Sequence, residues 1–413
     1  MKSLSKKRNE LFGDILRNFF NERDVSEFSR RYTPNSGISI VPEDGSQRNR
    51  EQVSLEINTY HQIQSQIDLL ITYAENKLSK VKFLELLLQL GQFTITSGEL
   101  ASAVYIHEKI LSETENNPSL NHVSAYAYLA LGEVNRKQAQ WQTSFEYIKQ
   151  ANQIFIKQKD FKGRAECENF LGAIYAEWGN LKLAKEHFAN GLELLEKKKD
   201  ALLSGKIEVN LGIICNIEGD LEGALSYYHR ALLNFEKLED LKRMAEIRHN
   251  MGMMFTKRKD YRSAIAEFEK SITISLKAGY LPSLGISYLS KAFIYSKEGD
   301  HSLAEAFADK ALEICHKTND KLSIADIYKI KGIVQRNKGQ VAKAKDYLMT
   351  SLRINKELKN ELNEAEAAYE LGILYDDQGN NKESKKYFQM ALKYYRGINA
   401  KNEVEEIENY LSN

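Results

Sequence analysis

The amino-acid sequence predicts an all-α protein, an α-solenoid of about eight helix-turn-helix hairpins with capping helices at its ends. The main observation is a small residue that recurs in steps of 40 residues (172 − 132), with a first step of 41 (132 − 91), within an amphipathic pattern of helical period. The chain also has only four prolines, which fits nearly continuous helix. We call the recurring site the register position, and its occupants are Gly91, Gly132, Gly172, Gly212, Gly252, Ala292, Gly332 and Gly372.

A turn is predicted seven residues after each register position, where the first helix of a hairpin ends. Glycine is frequent there because the residue that ends a helix often adopts a left-handed conformation, which a Cβ disfavours. The occupants are Gly98, Ala139, Gly179, Gly219, Lys259, Gly299, Gly339 and Gly379. The following residue is often short and polar and is predicted to cap the second helix, as at Asn180, Asp220, Asp260, Asp300 and Asn380.

The second helix of each hairpin has a small residue twelve positions after the register position, which predicts a close helix crossing. Bulk usually returns four positions later, and we expect these side chains to fill the space between neighbouring hairpins. Examples are Phe188, Tyr228, Phe268 and Phe388. Polar residues that predict the N-caps of the next hairpins recur at Asp160, Asp200, Asp240, Asp320 and Asn360.

This pattern resembles the tetratricopeptide repeat, whose helix-turn-helix unit has small, large and aromatic residues at such spacings. Matching segments are LGAIYAEWGN at Leu171–Asn180, AKEHFANGL at Ala184–Leu192 and LGILYDDQGN at Leu371–Asn380. The usual unit has about 34 residues, so the chain looks like the long-repeat variety of spindle-orientation adaptors and bacterial peptide-responsive regulators. The resemblance implies a right-handed superhelix whose first helices line a concave groove for an extended or helical peptide.

The ends of the chain differ from the repeats, so four regions are predicted. Residues 1–52 are expected to form one amphipathic helix over 1–31, with Leu11, Ile15, Phe19 and Phe20 on its apolar side, and then a flexible linker. Residues 53–79 are expected to form an N-terminal capping helix, residues 80–399 the eight repeats, and residues 400–413 a C-terminal capping helix. Caps are needed because terminal hairpins lack a neighbour on one side.

The composition disfavours partners other than proteins. The 58 basic and 57 acidic residues give a net charge of +1 and alternate along the chain, so nucleic-acid binding is not expected. No apolar run reaches the roughly 18 residues of a membrane span, so no membrane partner is expected either. The three cysteines are far apart and odd in number, which favours a reducing, cytoplasmic setting. Cys167 and Cys215 are predicted to pack in the core.

No recognisable motif predicts catalysis or metal binding. No histidine has a second histidine four residues away or a cysteine at the spacing of metal ligands. Phosphate-loop and nucleophile motifs are not found. We therefore expect a protein that is not an enzyme and that has no catalytic residues, no metal ligands and no cofactor.

The resemblance places groove-facing side chains six, three and two residues before the register position and one, four and five after it. Asparagine suits such a groove because its amide both donates and accepts hydrogen bonds, and lysine or arginine can pair with a carboxylate. Aromatic side chains would form apolar pockets between them. The predicted groove residues are Arg136, Asn169, Phe170, Lys206, Asn210, Asn216, His249, Asn250 and Phe293.

Two features of the later hairpins bear on the ligand. The eighth hairpin has an acidic groove side, which suits a ligand that is acidic at one end and basic at the other; its residues are Glu366, Glu370, Asp376 and Asp377. The sequence also departs from the dicarboxylate clamp of chaperone-binding repeat proteins, because Lys329 alone fits and Ile333 stands where asparagine is needed. Chaperone C-termini are therefore not the expected ligands.

Two hypotheses about function follow. In the first, the chain is a non-enzymatic adaptor that holds a peptide or helical segment of a partner protein in its groove, and self-association is possible. In the second, the chain is a peptide- or partner-sensing regulator whose N-terminal segment is the effector. That segment is short and lacks a helix-turn-helix pattern, which favours the first. Lys291 and Lys331 replace apolar residues in hairpins six and seven, which predicts faster local opening there.

Overall fold

The computed structural model describes residues 12–32, 60–115, 117–196 and 199–412. Within these ranges every regular element is a helix, which confirms the predicted all-α fold. The chain forms two compact units, Met1–Ile214 (unit 1) and Cys215–Asn413 (unit 2). Each unit is built from consecutive helices that pack in pairs.

Three helices precede the hairpins: α1 over residues 12–19, α2 Glu22–Tyr32 and α3 Tyr60–Lys77. The single helix expected over residues 1–31 is therefore wrong, since α1 ends before Phe20 and α2 begins after Asn21. The side chain of Asn21 accepts a hydrogen bond from the Asp24 amide at 2.9 Å and so caps α2. Leu11, the expected linker and residues 53–59 of the expected capping helix lie outside the described residues.

Helices α1 and α2 belong to the core of unit 1. Phe12 and Phe20 are buried there together with apolar side chains of α3 and of the first hairpin. The Phe12 ring lies 5.9 Å from the ring of Phe93, and the Phe20 ring lies 5.5 Å from that of Tyr73. The N-terminal segment thus shares its hydrophobic burial with the first repeat.

Eight hairpins follow, which we number one to eight. Their helices are α4 Lys80–Ser97 and α5 Leu100–Thr114, α6 Asn121–Lys137 and α7 Trp141–Gln158, α8 Phe161–Glu177 and α9 Leu181–Leu195, α10 Ala201–Glu218 and α11 Leu221–Lys237, α12 Leu241–Lys257 and α13 Tyr261–Ala278, α14 Leu281–Glu298 and α15 His301–Thr318, α16 Lys321–Asn337 and α17 Val341–Leu358, and α18 Glu361–Asp376 and α19 Asn381–Gly397. A closing helix, α20 Lys401–Ser412, buries Ile407 against the last hairpin.

Helix capping follows the sequence pattern closely. Each of the ten aspartates and asparagines predicted as caps accepts a hydrogen bond from the amide three residues later, at 2.9 to 3.3 Å. All eight residues at the predicted turn have positive φ, including Ala139 (57°) and Lys259 (61°). The left-handed turn is therefore a property of the repeat, and glycine is only its most favourable occupant.

A tightly packed layer forms at the register position. In six hairpins the register glycine lies against the side chain sixteen residues later, and a Cβ at the glycine would come closer than 3.0 Å to it. We call these register pairs: Gly91–His107, Gly132–Ile148, Gly172–Phe188, Gly252–Phe268, Gly332–Leu348 and Gly372–Phe388. These bulky side chains also pack with the next hairpin, as the sequence analysis expects: Phe268 shares a core cluster with Ile294, and Ile148 with Leu171.

The cysteines and the helix lengths complete the description. Cys167, Cys215 and Cys315 are buried free thiols, and Cys167 and Cys215 pack in the core as predicted. In the part of the chain that the structure describes, no helix combines the length and apolar character needed to cross a bilayer.

Candidate binding cavity

The predicted groove residues divide between the two units, so each group is described on its own. Those of unit 1 are Arg136, Asn169, Phe170, Lys206 and Asn210; those of unit 2 are Asn216, His249, Asn250 and Phe293. All nine lie in the first helices of their hairpins.

A cavity of about 330 Å³ lies in unit 1, and three of the predicted residues line it. These are Asn169 and Phe170 of α8 and Lys206 of α10. Apolar side chains form much of the rest of its wall: Leu88, Tyr126, Leu129, Ala130, Leu202 and Leu203. First helices of consecutive hairpins thus contribute to one cavity.

Asn169 and Asn210 occupy neighbouring helices and are bonded to each other. The Asn210 amide donates from Nδ2 to Oδ1 of Asn169 at 3.0 Å. This bond occupies one lone pair of the Asn169 oxygen, turns that oxygen toward Asn210 and leaves the NH₂ group to donate elsewhere. Asn210 therefore orients Asn169, which lines the cavity.

Arg136 and Phe170 form a second contact between neighbouring helices. The guanidinium carbon of Arg136 lies 5.8 Å from the centre of the Phe170 ring, within the range of a cation–π interaction. Nε of Arg136 is buried and has no hydrogen-bond partner among the described residues. The arginine does not line the cavity itself, and its stacking fixes one face of Phe170.

The charged residues of the cavity differ in how well they are paired. Lys162 lies 2.9 Å from Asp200, whose other oxygen caps α10 at Leu203. Burial acts to raise the pKa of Asp200, but the bonds from Lys162 and from the Leu203 amide outweigh it and leave that pKa below its ordinary value. For Glu166, by contrast, burial raises the pKa and the charges of Lys162 and Lys206 offset this only in part.

His107 is one of the cavity residues that the sequence analysis does not include among the site residues. Only 1% of its surface is exposed, and its ring packs against Gly91. Neither ring nitrogen has a hydrogen-bond partner in the described part of the chain. Burial lowers the pKa of His107 to about 4, so the ring is neutral at pH 7. The available signal was a histidine at a position where other hairpins have phenylalanine.

The four predicted residues of unit 2 have different surroundings. His249 is largely buried, with Nδ1 3.2 Å from the Ser287 hydroxyl and its ring 5.3 Å from that of Phe268. Burial also lowers the pKa of His249 to about 4. Phe293 is exposed, and Asn216 and Asn250 are half-buried with side chains that make no hydrogen bond within the described residues. The structure thus places His249 in a packed layer and leaves the two asparagines and Phe293 accessible.

The acidic side chains of hairpin eight are mostly paired. Glu366 pairs with Lys329, and Glu370 lies 2.7 Å from Arg336, whose Nε is 3.9 Å from Asp377. The charge gradient expected from the sequence is therefore largely neutralised by hairpin seven. Among the described residues, no group of three histidine, cysteine, aspartate or glutamate side chains is placed to hold a metal ion.

Comparison with known proteins agrees with this architecture. A tetratricopeptide repeat model matches residues 203–277 and 323–397, and a second model of the same repeat matches residues 286–317. No curated protein sequence gives a significant match.

Several solved structures have a similar fold. One is a signal transduction ATPase with numerous domains from Pyrococcus horikoshii, which has a tetratricopeptide repeat sensor (13% identity, TM-score 0.62, 85% of this chain and 56% of that chain). This chain therefore spans little more than half of that protein. Another is the apo quorum sensor NprR from B. thuringiensis (15% identity, TM-score 0.62, 81% and 93%). A third is aspartyl phosphate phosphatase F from Bacillus subtilis (15% identity, TM-score 0.58, 80% and 89%).

At these identities the similarity shows the fold and leaves the ligand to be argued from this chain's own residues. The repeat period, the left-handed turns, the capping residues and the matched repeat models all agree. The chain carries tetratricopeptide repeats over the matched residues, and its fold resembles that of the quorum sensor NprR.

Proposed function

We propose that this protein binds a peptide, or a peptide segment of a partner protein, in the cavity of unit 1 and does so without catalysing a reaction. The repeats and the fold they share with the quorum sensor support a role in protein interaction or peptide sensing. The observation that carries the finer proposal is the oriented amide of Asn169 inside a cavity with apolar walls.

The chemistry of the cavity matches that of a peptide. A peptide backbone presents a carbonyl oxygen that the NH₂ group of Asn169 can bond, since the oxygen of this asparagine is turned toward Asn210. The apolar wall removes a side chain of the ligand from water.

The experiment is the retention of synthetic pentapeptides of randomised sequence by the full chain, read by mass spectrometry after gel filtration. Asn169→Ala and Asn210→Ala should each lower the affinity for a retained peptide about three- to tenfold, since one neutral hydrogen bond contributes roughly 0.5–1.5 kcal/mol. Asn190→Ala is the matched control because Asn190 is an exposed asparagine on the second helix α9. If the first two variants bind like the control, the cavity is not the peptide site.

One observation favours the regulator as a second candidate. Helix α4 contributes Leu88 and Gln92 to the cavity, and the same helix contacts α1 through Phe93 and through Gln89, which accepts a hydrogen bond from Asn18 at 3.5 Å. A ligand that stabilises α4 would therefore also stabilise the N-terminal helices.

Hydrogen exchange separates the two candidates. A retained peptide should slow exchange in residues 12–32 if the N-terminal helices report occupancy of the cavity, and it should leave them unchanged in a simple adaptor. Deletion of residues 1–52 is a poor test, because it would expose core side chains that Phe12 and Phe20 cover.

A further inference from the structure

Glu166 is the cavity carboxylate with the fewest partners. It is half-buried in α8, and within the described ranges no hydrogen bond or ion pair to its oxygens is found. Asp200 in the same cavity, by contrast, is bound to Lys162 at 2.9 Å. The charges of Lys162 and Lys206 act on Glu166 and offset its burial only in part. Because a carboxylate removed from water without a bonded partner is costly, a cation bonded directly to Glu166 would be favourable.

A second carboxylate, Glu133 of α6, also lines the cavity. Its nearest described cation is Lys137, one turn along the same helix, with 3.7 Å between Oε1 and Nζ. This distance exceeds that of a hydrogen bond, and Lys137 is exposed, so the pair contributes little. Two acidic side chains from different helices are therefore available to one ligand.

His107 adds a neutral nitrogen to these two carboxylates. A neutral imidazole has one N–H donor and one acceptor nitrogen, and both are without partners here. Leaving a buried polar group unpaired costs about 1–3 kcal/mol. Phenylalanine occupies the equivalent position over the register glycine in hairpins three, five and eight, so the backbone itself does not require a histidine.

The size of the cavity limits what can enter. Its volume of about 330 Å³ lies at the lower end of ligand pockets, which span roughly 300–1,000 Å³. One amino-acid residue with part of its neighbour fits, and a folded segment does not. The cavity thus suits one end of a chain, with an aliphatic side chain against Leu88, Leu129 and Leu203.

We infer that the cavity receives the free amino terminus of the bound peptide. The α-ammonium group is held by the carboxylates of Glu166 and Glu133 and by the acceptor nitrogen of His107, the first side chain is aliphatic, and the NH₂ group of Asn169 donates to the first carbonyl oxygen. This inference rests on the proposed function, since it specifies which part of the peptide occupies the same cavity. A carboxyl terminus is disfavoured because it would face three carboxylates, Glu133, Glu166 and Asp200, against two lysines, Lys162 and Lys206, of which Lys162 is already paired with Asp200.

The test uses two pentapeptide libraries that differ only at the amino terminus, one free and one acetylated, each passed over the full chain. Peptides with a free terminus and an aliphatic first residue should be retained, and acetylation should lower retention at least tenfold. Equal retention of both libraries would overturn the inference and leave peptide binding intact. If the retained peptides instead share an internal lysine and tolerate acetylation, the cavity binds a side-chain ammonium and the inference fails.

Two variants test the residues. Glu166→Gln should lower retention of the free library about tenfold and leave the weak retention of the acetylated one unchanged, whereas Glu186→Gln, on the exposed side of α9, should change neither. His107→Phe should also lower retention while raising the melting temperature, which excludes misfolding as the cause. Failure of the unaltered chain to retain either library would overturn the proposed function itself, and with it this inference.

Discussion

Hairpins one and three of unit 1 have the same backbone at the register position but different chemistry. In hairpin three, Phe188 packs on Gly172, with Cδ1 only 2.7 Å from where a Cβ would stand. In hairpin one, His107 lies on Gly91 in the same way. The repeat therefore accepts either ring against the glycine, as it accepts Ile148 in hairpin two and Leu348 in hairpin seven. Phenylalanine completes an apolar core, whereas the histidine leaves two buried nitrogens unpaired beside the cavity.

Hairpin six, in unit 2, differs from both of these hairpins in the residues of its register pair. Ala292 replaces the register glycine and Ala308 replaces the ring, and both are fully buried. Phe307, one residue earlier, stacks on Tyr295 at 5.5 Å, as the equivalent His187 and Tyr387 stack on Tyr175 and Tyr375. Lys291 lies over the Phe307 ring, with Nζ 4.3 Å from its centre. Hairpin six thus keeps the stacked ring found in hairpins three and eight and lacks only the ring at the position of Ala308.

The largest expected effect comes from removing the apolar ring of a register pair. Phe188→Ala should destabilise the chain by about 3–5 kcal/mol, since the lost ring leaves a cavity that the surrounding helices cannot close. Denaturant unfolding measures this loss. Tyr105→Ala is the control, because Tyr105 is exposed and its removal should change stability by less than about 0.5 kcal/mol. Equal losses for the two variants would contradict the packing described for register pairs.

The free energy of unfolding should depend on pH because of His107 in hairpin one. His107 has an ordinary pKa of 6.5 when unfolded and about 4 when folded, so the unfolded chain binds the proton more readily. Stability should therefore be complete above about pH 6.5 and fall as the pH decreases toward 4, by about 3 kcal/mol for this residue. His249 should add a similar decrease in unit 2.

The variant His107→Phe should lack the decrease in stability that His107 causes at low pH. Its comparison with the original chain therefore measures the contribution of this residue alone. At pH 7 the variant should also be more stable by about 1–3 kcal/mol, because no buried nitrogen is left unpaired. Thermal unfolding from pH 4 to 7 measures both effects. A variant with the pH dependence of the original chain would show that His107 does not titrate as described.

The lysines of hairpins six and seven give a smaller effect. Nζ of Lys291 lies 2.9 Å from Glu269, and Lys331 pairs with Asp309. Since the carboxylate partners are mostly exposed, Lys291→Leu leaves no buried charge behind and should stabilise hairpin six by about 1–2 kcal/mol. Hydrogen exchange should show faster opening of α14–α17 than of α8 and α9 in the original chain, and slower opening of α14 and α15 in the variant. Equal protection of both regions would contradict the prediction.

The smallest effects are expected at the turns. Ala139 and Lys259 are held at positive φ, which costs an L-residue roughly 1–2 kcal/mol, and the greater freedom of glycine in the unfolded chain cancels part of the gain. Ala139→Gly and Lys259→Gly should each raise stability by about 0.5–1 kcal/mol in thermal melts. Gly179→Ala, at an equivalent turn with φ of 75°, should act in the opposite direction.

Much of the fold could be predicted because the same sequence pattern recurs in eight hairpins, so an atypical residue in one hairpin does not hide it. The caps at Asp220 and Asn380 follow from residue type and spacing alone. The positive φ of Lys259 does not follow from lysine itself, and only its place in the repeat indicates it. The break at Asn21 was missed because a single cap within an apolar pattern gives a weak signal.

The cavity was only partly predictable. The groove register found Asn169, Phe170 and Lys206, which do line it. It did not single out His107, because this residue lies on a second helix and reaches the cavity through the space above Gly91. Nor could spacing show that Lys162 pairs with Asp200 while Glu166 stays without a partner, since such pairing depends on side-chain distances between helices.

The register pairs also bear on how this protein can change in length. Both members of a pair belong to one hairpin, so a duplication or deletion of one whole repeat keeps every such contact within the remaining hairpins. An insertion of a few residues between the two members would instead move the ring away from its glycine. Evolution and protein engineering alike should therefore tolerate changes of 40 residues (172 − 132) far better than changes of four.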